Sequence, residues 1–187
     1  MKSTYIKHET NIEELCINIV AAASGQLQEH GTISPTFICI GARRTVHWTA
    51  QSLSDKSVID QFVNDCRLLC VAEEATQAIF VAQISIGSEK SPSIKTAGSS
   101  SNDGPECLLI QIEVAEGQNE TLMAPIIPKA GGKPALGYSR IMLKGLLAGI
   151  TNAILPKTKP GEAERIFAEL ALQHNPRLTE YNPYRSN

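Results

Sequence analysis

The chain has 187 residues, of which 42% are apolar and 19% charged, and its formal net charge is −2. These values fit one globular domain, or one domain with an appendage, built around an aliphatic core because aromatic residues make up only 5%. A membrane span is excluded: the longest apolar run lies within residues 141–155, and a spanning helix needs about 20 residues. The N-terminal segment turns acidic where a signal peptide would be apolar, so we expect a cytoplasmic protein.

Charge is distributed unevenly along the chain. Residues 1–128 hold 8 basic and 15 acidic side chains, whereas residues 129–187 hold 9 basic and 4 acidic ones. Residues 129–161 contain six basic side chains and no acidic one. This asymmetry predicts that opposite charge seats the C-terminal part on the body of a neighbouring copy or on a partner.

The first predicted element is a helix that ends at His30-Gly31. Thr10 followed by Glu13 forms a capping box, which starts a helix, and glycine favours the stop. Apolar residues recur between these points at the i, i+3, i+4, i+7 spacing of one helix face. They are Ile12, Leu15, Cys16, Ile19, Val20, Ala23 and Leu27.

The segment TFICIGARRTVHWTA predicts a β-hairpin, because two β-prone runs flank GARR. A turn centred on the middle of GARR would set Phe37 opposite Trp48 and Cys39 opposite Val46. The first strand is apolar on both faces, which is typical of a strand that is central or covered on both sides.

A second helix is predicted from a cap at Ser54 or Asp55 to about Glu74, and a third strand from Ala78 to Ile86. Residues 87–105 are rich in Gly, Ser and Pro and predict a flexible loop.

Two more strands are predicted over residues 107–115 and 121–128. The inner face of the former is Leu108, Ile110, Ile112 and Val114. Pro125 in the latter cannot donate to a sheet ladder, so we expect a strand end, a bulge or a sheet edge there.

Two helices are predicted in the C-terminal part. In YSRIMLKGLLAGITNAILPKTKPG, residues 138–161, helical numbering places the large apolar side chains in one arc of about 140°. Gly145 and Gly149 lie on the opposite face, where each costs about 1 kcal/mol relative to alanine. Close approach of another backbone would offset this cost. The last helix is predicted from Glu162 to Gln173, before an extended tail.

The predicted fold is α+β: a five-stranded, mainly antiparallel sheet in the order α-β-β-α-β-β-β with helices packed on it, plus a C-terminal two-helix extension. We predict a domain boundary after residue 139, which separates a core domain, residues 1–139, from a basic helical extension and tail, residues 140–187. The element order over residues 11–155 resembles the roadblock and longin-like small adaptor domains, which are similar in outline to profilin. The resemblance implies a non-enzymatic platform that dimerises or carries partners.

Side chains with catalytic or metal-binding chemistry form no recognised arrangement. Cys66 and Cys70 share a helix face, but a structural zinc site needs two further ligands that no spacing supplies. We expect buried thiols in a reducing compartment and no metal or cofactor. A small enzyme that uses His47 or a cysteine is an alternative. The carboxylates expected to be solvated at element ends are Glu73, Glu74, Glu113 and Glu116.

The basic residues of 129–161 allow a further alternative, a nucleic-acid-binding accessory protein. Tyr138 is the only aromatic in that run that could stack on a base. Lys129 and Lys133 are candidate anion ligands, although AGGKPALG lacks the spacing of a Walker A loop.

The main prediction is a non-enzymatic binding or assembly subunit that acts through protein–protein contacts, with the basic C-terminal helices as docking element. It binds a protein partner or itself, and no small-molecule substrate is identifiable. The candidate partner-binding residues are Tyr138, Arg140, Lys144, Gly145, Gly149, Lys157 and Lys159.

Overall fold

The computed structural model describes residues 12–50, 53, 56–86, 93–94, 104–116, 119–138, 141–144 and 154–175. It confirms the α+β class, with helices packed against an antiparallel sheet. The elements in chain order are α1 (Ile12–His30), β1 (Thr36–Gly41), β2 (Thr45–Thr49), α2 (Lys56–Ala72), β3 (Ala75–Ser85), β4 (Ser93–Ile94), β5 (Glu106–Val114), β6 (Glu120–Ile127), β7 (Ala135–Leu136), β8 (Ile141–Lys144) and α3 (Glu162–Gln173).

The main strands follow the order β2-β1-β3-β5-β6 across the sheet. β8 pairs with the first half of β6, β7 pairs with its last two residues, and β4 pairs with the end of β3. The five predicted strands are β1, β2, β3, β5 and β6, and the structure adds three short ones. Most of the predicted 87–105 loop lies outside the described residues.

The predicted hairpin register is confirmed: Phe37 lies opposite Trp48, and Cys39 lies opposite Val46. The short connection and the alternating apolar residues determine this register, because a slip by one residue would turn the apolar side chains of β2 away from the core.

Gly41 fixes the hairpin turn against the tight turn that joins α2 to β3. A Cβ added at Gly41 would lie 2.2 Å from the Glu73 carbonyl oxygen, and this carbonyl accepts a 3.0 Å hydrogen bond from the Ala42 amide. The next residue, Glu74, has a left-handed φ of 50°, which costs a non-glycine residue about 1 kcal/mol. The two turns therefore form one rigid corner of the molecule.

Both faces of the sheet are covered, because successive strand residues point to opposite sides and both sets are apolar. α1 packs on one face, over a cluster that includes Leu27, Ile79, Leu108, Ile110 and Ile112. α2 and α3 pack on the other face, over a cluster that includes Phe37, Leu69, Ile84, Leu109 and Leu172. The sheet separates these two cores.

The prediction of a third helix is wrong for residues 141–144, which form strand β8. These residues pair antiparallel with residues 120–123 of β6. A short apolar run suits a strand as well as a helix, and here β6 offers an open edge while Gly145 and Gly149 weaken the helical alternative. Residues 145–153, which include both glycines, lie outside the described residues. The last helix, α3, is confirmed at its predicted bounds.

Pro125 lies inside β6, in a gap of the outer ladder. Pairing with β8 ends at Met123, and pairing with β7 begins at Ile126. The Pro125 carbonyl accepts a 2.7 Å hydrogen bond from the Gly137 amide. Because the N–H and C=O of a strand residue point to the same side, the missing N–H faces this gap and the ladder with β5 is unaffected.

None of the described helices has the length and hydropathy that are needed to cross a membrane.

Candidate protein-docking surface

Residues 154–175 close the α2 face of the molecule. Ile154 and Leu155 are buried in the same cluster as inner residues of α3. Their amides donate hydrogen bonds of 2.7 and 3.1 Å to the two carboxylate oxygens of Glu113. Glu113 is 7% exposed, which corrects the expectation of a solvated strand end. The two amides compensate a buried charge, and the contact anchors the segment that leads to α3.

Ion pairs join α3 to the rigid corner formed by the two turns. Arg165 and Lys159 contact the Glu74 carboxylate at 2.5 and 3.4 Å, and Glu169 pairs with Arg43 of the hairpin. The hydrogen bond from Arg165, followed by that from Lys159, lowers the pKa of Glu74. Lys159 thus pairs with Glu74 while its side chain stays 83% exposed.

A further buried carboxylate, that of Glu73, lies in the rigid corner. Glu73 is 0% exposed, so the expectation of solvation is wrong here as well. The Arg44 guanidinium donates a 2.8 Å hydrogen bond from Nε to Glu73 Oε1. The corner thus presents paired charges and, through Arg165 and Glu169, holds α3 beside α2.

α3 presents apolar side chains outward as well as inward. Its inner residues lie in the core with α2, yet Ile166, Phe167 and Leu170 are 48%, 68% and 50% exposed. With the exposed Ala163 they follow the i, i+3, i+4, i+7 spacing of one helix face. We call these four residues the α3 stripe.

No charged side chain interrupts the α3 stripe. On its flanks, Arg165 and Glu169 are engaged with the rigid corner. Glu164 accepts a 2.8 Å hydrogen bond from the Gly161 amide at the start of the helix. The four residues of the stripe are uncharged, and the exposed Glu162 lies beside their N-terminal end.

An open groove of about 470 Å³ runs beside the α3 stripe, between α2, α3 and the segment that precedes α3. Leu68 and Val71 of α2, Pro156 and Pro160, and Phe167 of the stripe line it. Because Phe167 belongs to both features, stripe and groove form one continuous, mainly apolar surface.

The four predicted partner-binding residues that the structure describes lie outside the α3 stripe. Tyr138 is fully exposed after β7, and Lys144 is exposed at the end of β8. Lys157 is exposed in the segment before α3, and Lys159 is held by the rigid corner. The remaining three, Arg140, Gly145 and Gly149, lie outside the described residues.

Described lysines of the basic run, residues 129–161, lie on both faces of the sheet. Lys133 donates to the carbonyl of Glu29 at the end of α1, and Lys129 is exposed in the same loop. Lys159 lies beside α3 on the other face. Nucleic-acid binding needs clustered charge, and the described lysines of this run form no single cluster.

The candidate base His47 and most of the candidate nucleophiles lie on opposite faces of the sheet, whereas Cys16 of α1 lies on the same face as His47. His47 points to the α1 side of β2, whereas Cys39, Cys66 and Cys70 are buried on the α2 side. Burial raises the pKa of Cys66 well above its usual value, a hydrogen bond with Cys39 and burial do so for Cys70, and burial raises the pKa of Cys107 to about 11. Thiols that stay protonated at neutral pH are weak nucleophiles.

Within the residues that the structure describes, no group of three or more His, Cys, Asp or Glu side chains is placed to hold a metal ion. A scan of protein-family models and searches of curated proteins and of solved structures found no match to the chain. The roadblock and longin-like resemblance stays a prediction.

Reasoning from the sequence missed Ile166, Phe167 and Leu170. The signal was present in EAERIFAELALQ, where both an inner and an outer set of apolar residues follow helical spacing. A helix with two apolar faces needs two partners, and the sequence does not reveal which face the molecule itself covers.

Proposed function

We propose that this chain is a non-enzymatic assembly subunit that docks through its α3 stripe on the α3 stripe of a second copy. The observation that carries the proposal is the outward apolar face of α3: Ile166, Phe167 and Leu170 are about half to two-thirds exposed although the inner face of the same helix is buried. Large exposed apolar side chains grouped on one face mark interaction sites more often than isolated ones do.

The residues of the α3 stripe are complementary to themselves in an antiparallel helix pair. A two-fold axis between Ile166 and Phe167 sets Ile166 against Phe167 of the second copy and Ala163 against its Leu170. The small side chain then receives a large one on each side of the axis, as close helix packing requires. An isologous contact brings residues near the axis close to their own copies, and the stripe has no charge there to repel itself.

The size of the surface indicates a weak contact. The three large side chains of the stripe expose on the order of 300 Å² of apolar surface. This area is near the lower end of the range found for the largest apolar patch on an ordinary monomer. A stable complex buries about 800 Å² on each partner. Together with the neighbouring groove, the stripe supports a concentration-dependent association rather than an obligate one.

Charge substitutions in the α3 stripe test this proposal by light scattering over a concentration series that reaches the millimolar range. We expect Phe167→Glu to lower the average mass, because a carboxylate would be buried against Ile166 of the second copy. Ile17→Glu is the matched control, since Ile17 is 60% exposed on α1, on the opposite side of the sheet.

A compensating variant tests the register of the helix pair. In Ile166→Lys/Phe167→Glu, each new lysine faces the new glutamate of the second copy, so association should return in part and should weaken with salt. A wild-type chain that stays monomeric throughout the series, or one whose average mass the Phe167→Glu change leaves unchanged, contradicts the proposal.

A further inference from the structure

The outer edge of β2 is a second surface with unused bonding capacity, and it is independent of the α3 stripe. β2 stands at the end of the strand order, and within the described residues it pairs with β1 alone. α2 contacts β1 and β3, and α1 contacts β7, which lies at the opposite end of the sheet from β2. The main contacts of α1 and α2 with the sheet thus lie away from β2.

The hydrogen-bond pattern of the hairpin defines which groups of β2 face outward. The Gly41 amide donates to the Arg44 carbonyl, and the Ala50 amide donates to the Pro35 carbonyl. Bonded and non-bonded pairs alternate along an antiparallel ladder, so the even-numbered residues of β2 bond to β1. The N–H and C=O groups of Thr45, His47 and Thr49 therefore point away from the sheet.

β2 lacks the features that usually protect a sheet edge. Its sequence, TVHWT, holds no proline and no lysine or other permanently charged residue, and its register with β1 is continuous, without a bulge. Natural edge strands are commonly blunted by such residues, by bulges or by a covering element. An open, regular and uncharged edge is a template for another strand.

We propose that β2 pairs with β2 of a second copy, antiparallel and in a register centred on His47. This is the register that sets all five residues of β2 against five residues of its copy. It uses every outward-pointing group and forms about six backbone hydrogen bonds, two within the central pair and two on each side of it. The two sheets become one sheet that runs through both chains.

The side chains of β2 are complementary in this register. Thr45 lies opposite Thr49 of the second copy, and Val46 lies opposite its Trp48. Pairs of threonines and pairs of an aromatic with a β-branched residue are both favourable across strands. The basic hairpin turns, which end at Arg44, lie at opposite ends of the pair, about 20 Å apart.

The central pair makes the association sensitive to pH. His47 lies directly opposite His47 of the second copy, and like charges in that position repel. Its neighbour across the ladder in its own chain is Ile38, its neighbours along β2 on the same face are threonines, and burial alone lowers the pKa of His47. Both imidazoles are neutral near pH 7, and both gain charge as the pH falls through the range below about 6.5.

Sedimentation velocity in the Phe167→Glu background isolates this interface from the α3 contact. We expect concentration-dependent dimers at about pH 7.5 and association at least about tenfold weaker at about pH 5. His47→Pro should abolish the dimer, because it removes an outward donor without removing a bond to β1. His47→Val should keep the dimer and lose the acid sensitivity.

Amide hydrogen exchange reports the register. On association, the amides of Thr45, His47 and Thr49 should gain protection, whereas those of Val46 and Trp48 should not change because β1 already protects them. Dimers in the Phe167→Glu background that protect other residues, or monomers at every concentration, would overturn the β2 proposal and leave the α3 proposal intact. A wild type that forms β2 dimers and nothing larger, with a mass that Phe167→Glu leaves unchanged, would overturn the α3 proposal and leave the β2 proposal intact.

Discussion

At the scale of single residues, the buried carboxylates were the positions that the sequence described least well. Glu113 and Glu73 stand at element ends, where solvent exposure is the ordinary state. Their burial depends on partners far along the chain: the amides of Ile154 and Leu155 for Glu113, and Arg44 for Glu73. No local sequence pattern predicts such a contact, because the partner residue becomes a spatial neighbour only after the sheet has formed.

Glu113→Gln is expected to destabilise the fold by about 1–3 kcal/mol. The glutamine keeps one acceptor oxygen, but its NH₂ group would face the second amide and leave that donor unsatisfied in the core. Urea unfolding should show a lower midpoint with an unchanged dependence on denaturant. Glu116→Gln is the control, because Glu116 is exposed just beyond the same strand. Equal stability of the two variants would show that the amide contacts contribute nothing.

At the scale of elements, local periodicity predicted the helices and strands whose conformation depends on nearby residues alone. The helices α1 and α3 and the β1–β2 hairpin appear where spacing and turn residues placed them. β8 does not, because the choice between strand and helix for IMLK depends on the free edge of β6, which is a property of the assembled sheet. The outward stripe of α3 is the same kind of case: its spacing is local, but its exposure follows from how the helix packs.

The two faces of α3 should separate stability from association. Leu172→Ala removes a side chain that is 0% exposed, and the cavity should cost about 2–5 kcal/mol of the free energy of unfolding. Leu170→Ala, at the 50% exposed position, should change stability by no more than about 0.5 kcal/mol and should weaken association instead.

Thermal unfolding at low concentration measures the first effect, and light scattering at high concentration measures the second. A Leu170→Ala variant as unstable as Leu172→Ala would mean that the stripe serves the fold rather than a contact.

At the scale of the whole molecule, ion pairs join the acidic body to the C-terminal part within one chain, in both senses of charge. Lys159 and Arg165 neutralise Glu74, and Arg43 neutralises Glu169. The acidic body and the basic C-terminal part thus meet inside one subunit, which fixes α3 with its apolar stripe outward. The proposed role in assembly rests on that orientation, and the β2 edge would add a second two-fold contact on another side.

One sedimentation series at neutral pH tests both contacts. It measures the solution mass of the wild type, of Phe167→Glu, of His47→Pro and of the chain with both changes. With both interfaces active, the wild type should form species larger than a dimer at high concentration. Each single variant should stop at dimers, and the double variant should be a monomer with an unchanged circular dichroism spectrum. A wild type that is monomeric at every concentration, or a mass that Phe167→Glu leaves unchanged, would contradict assembly through α3.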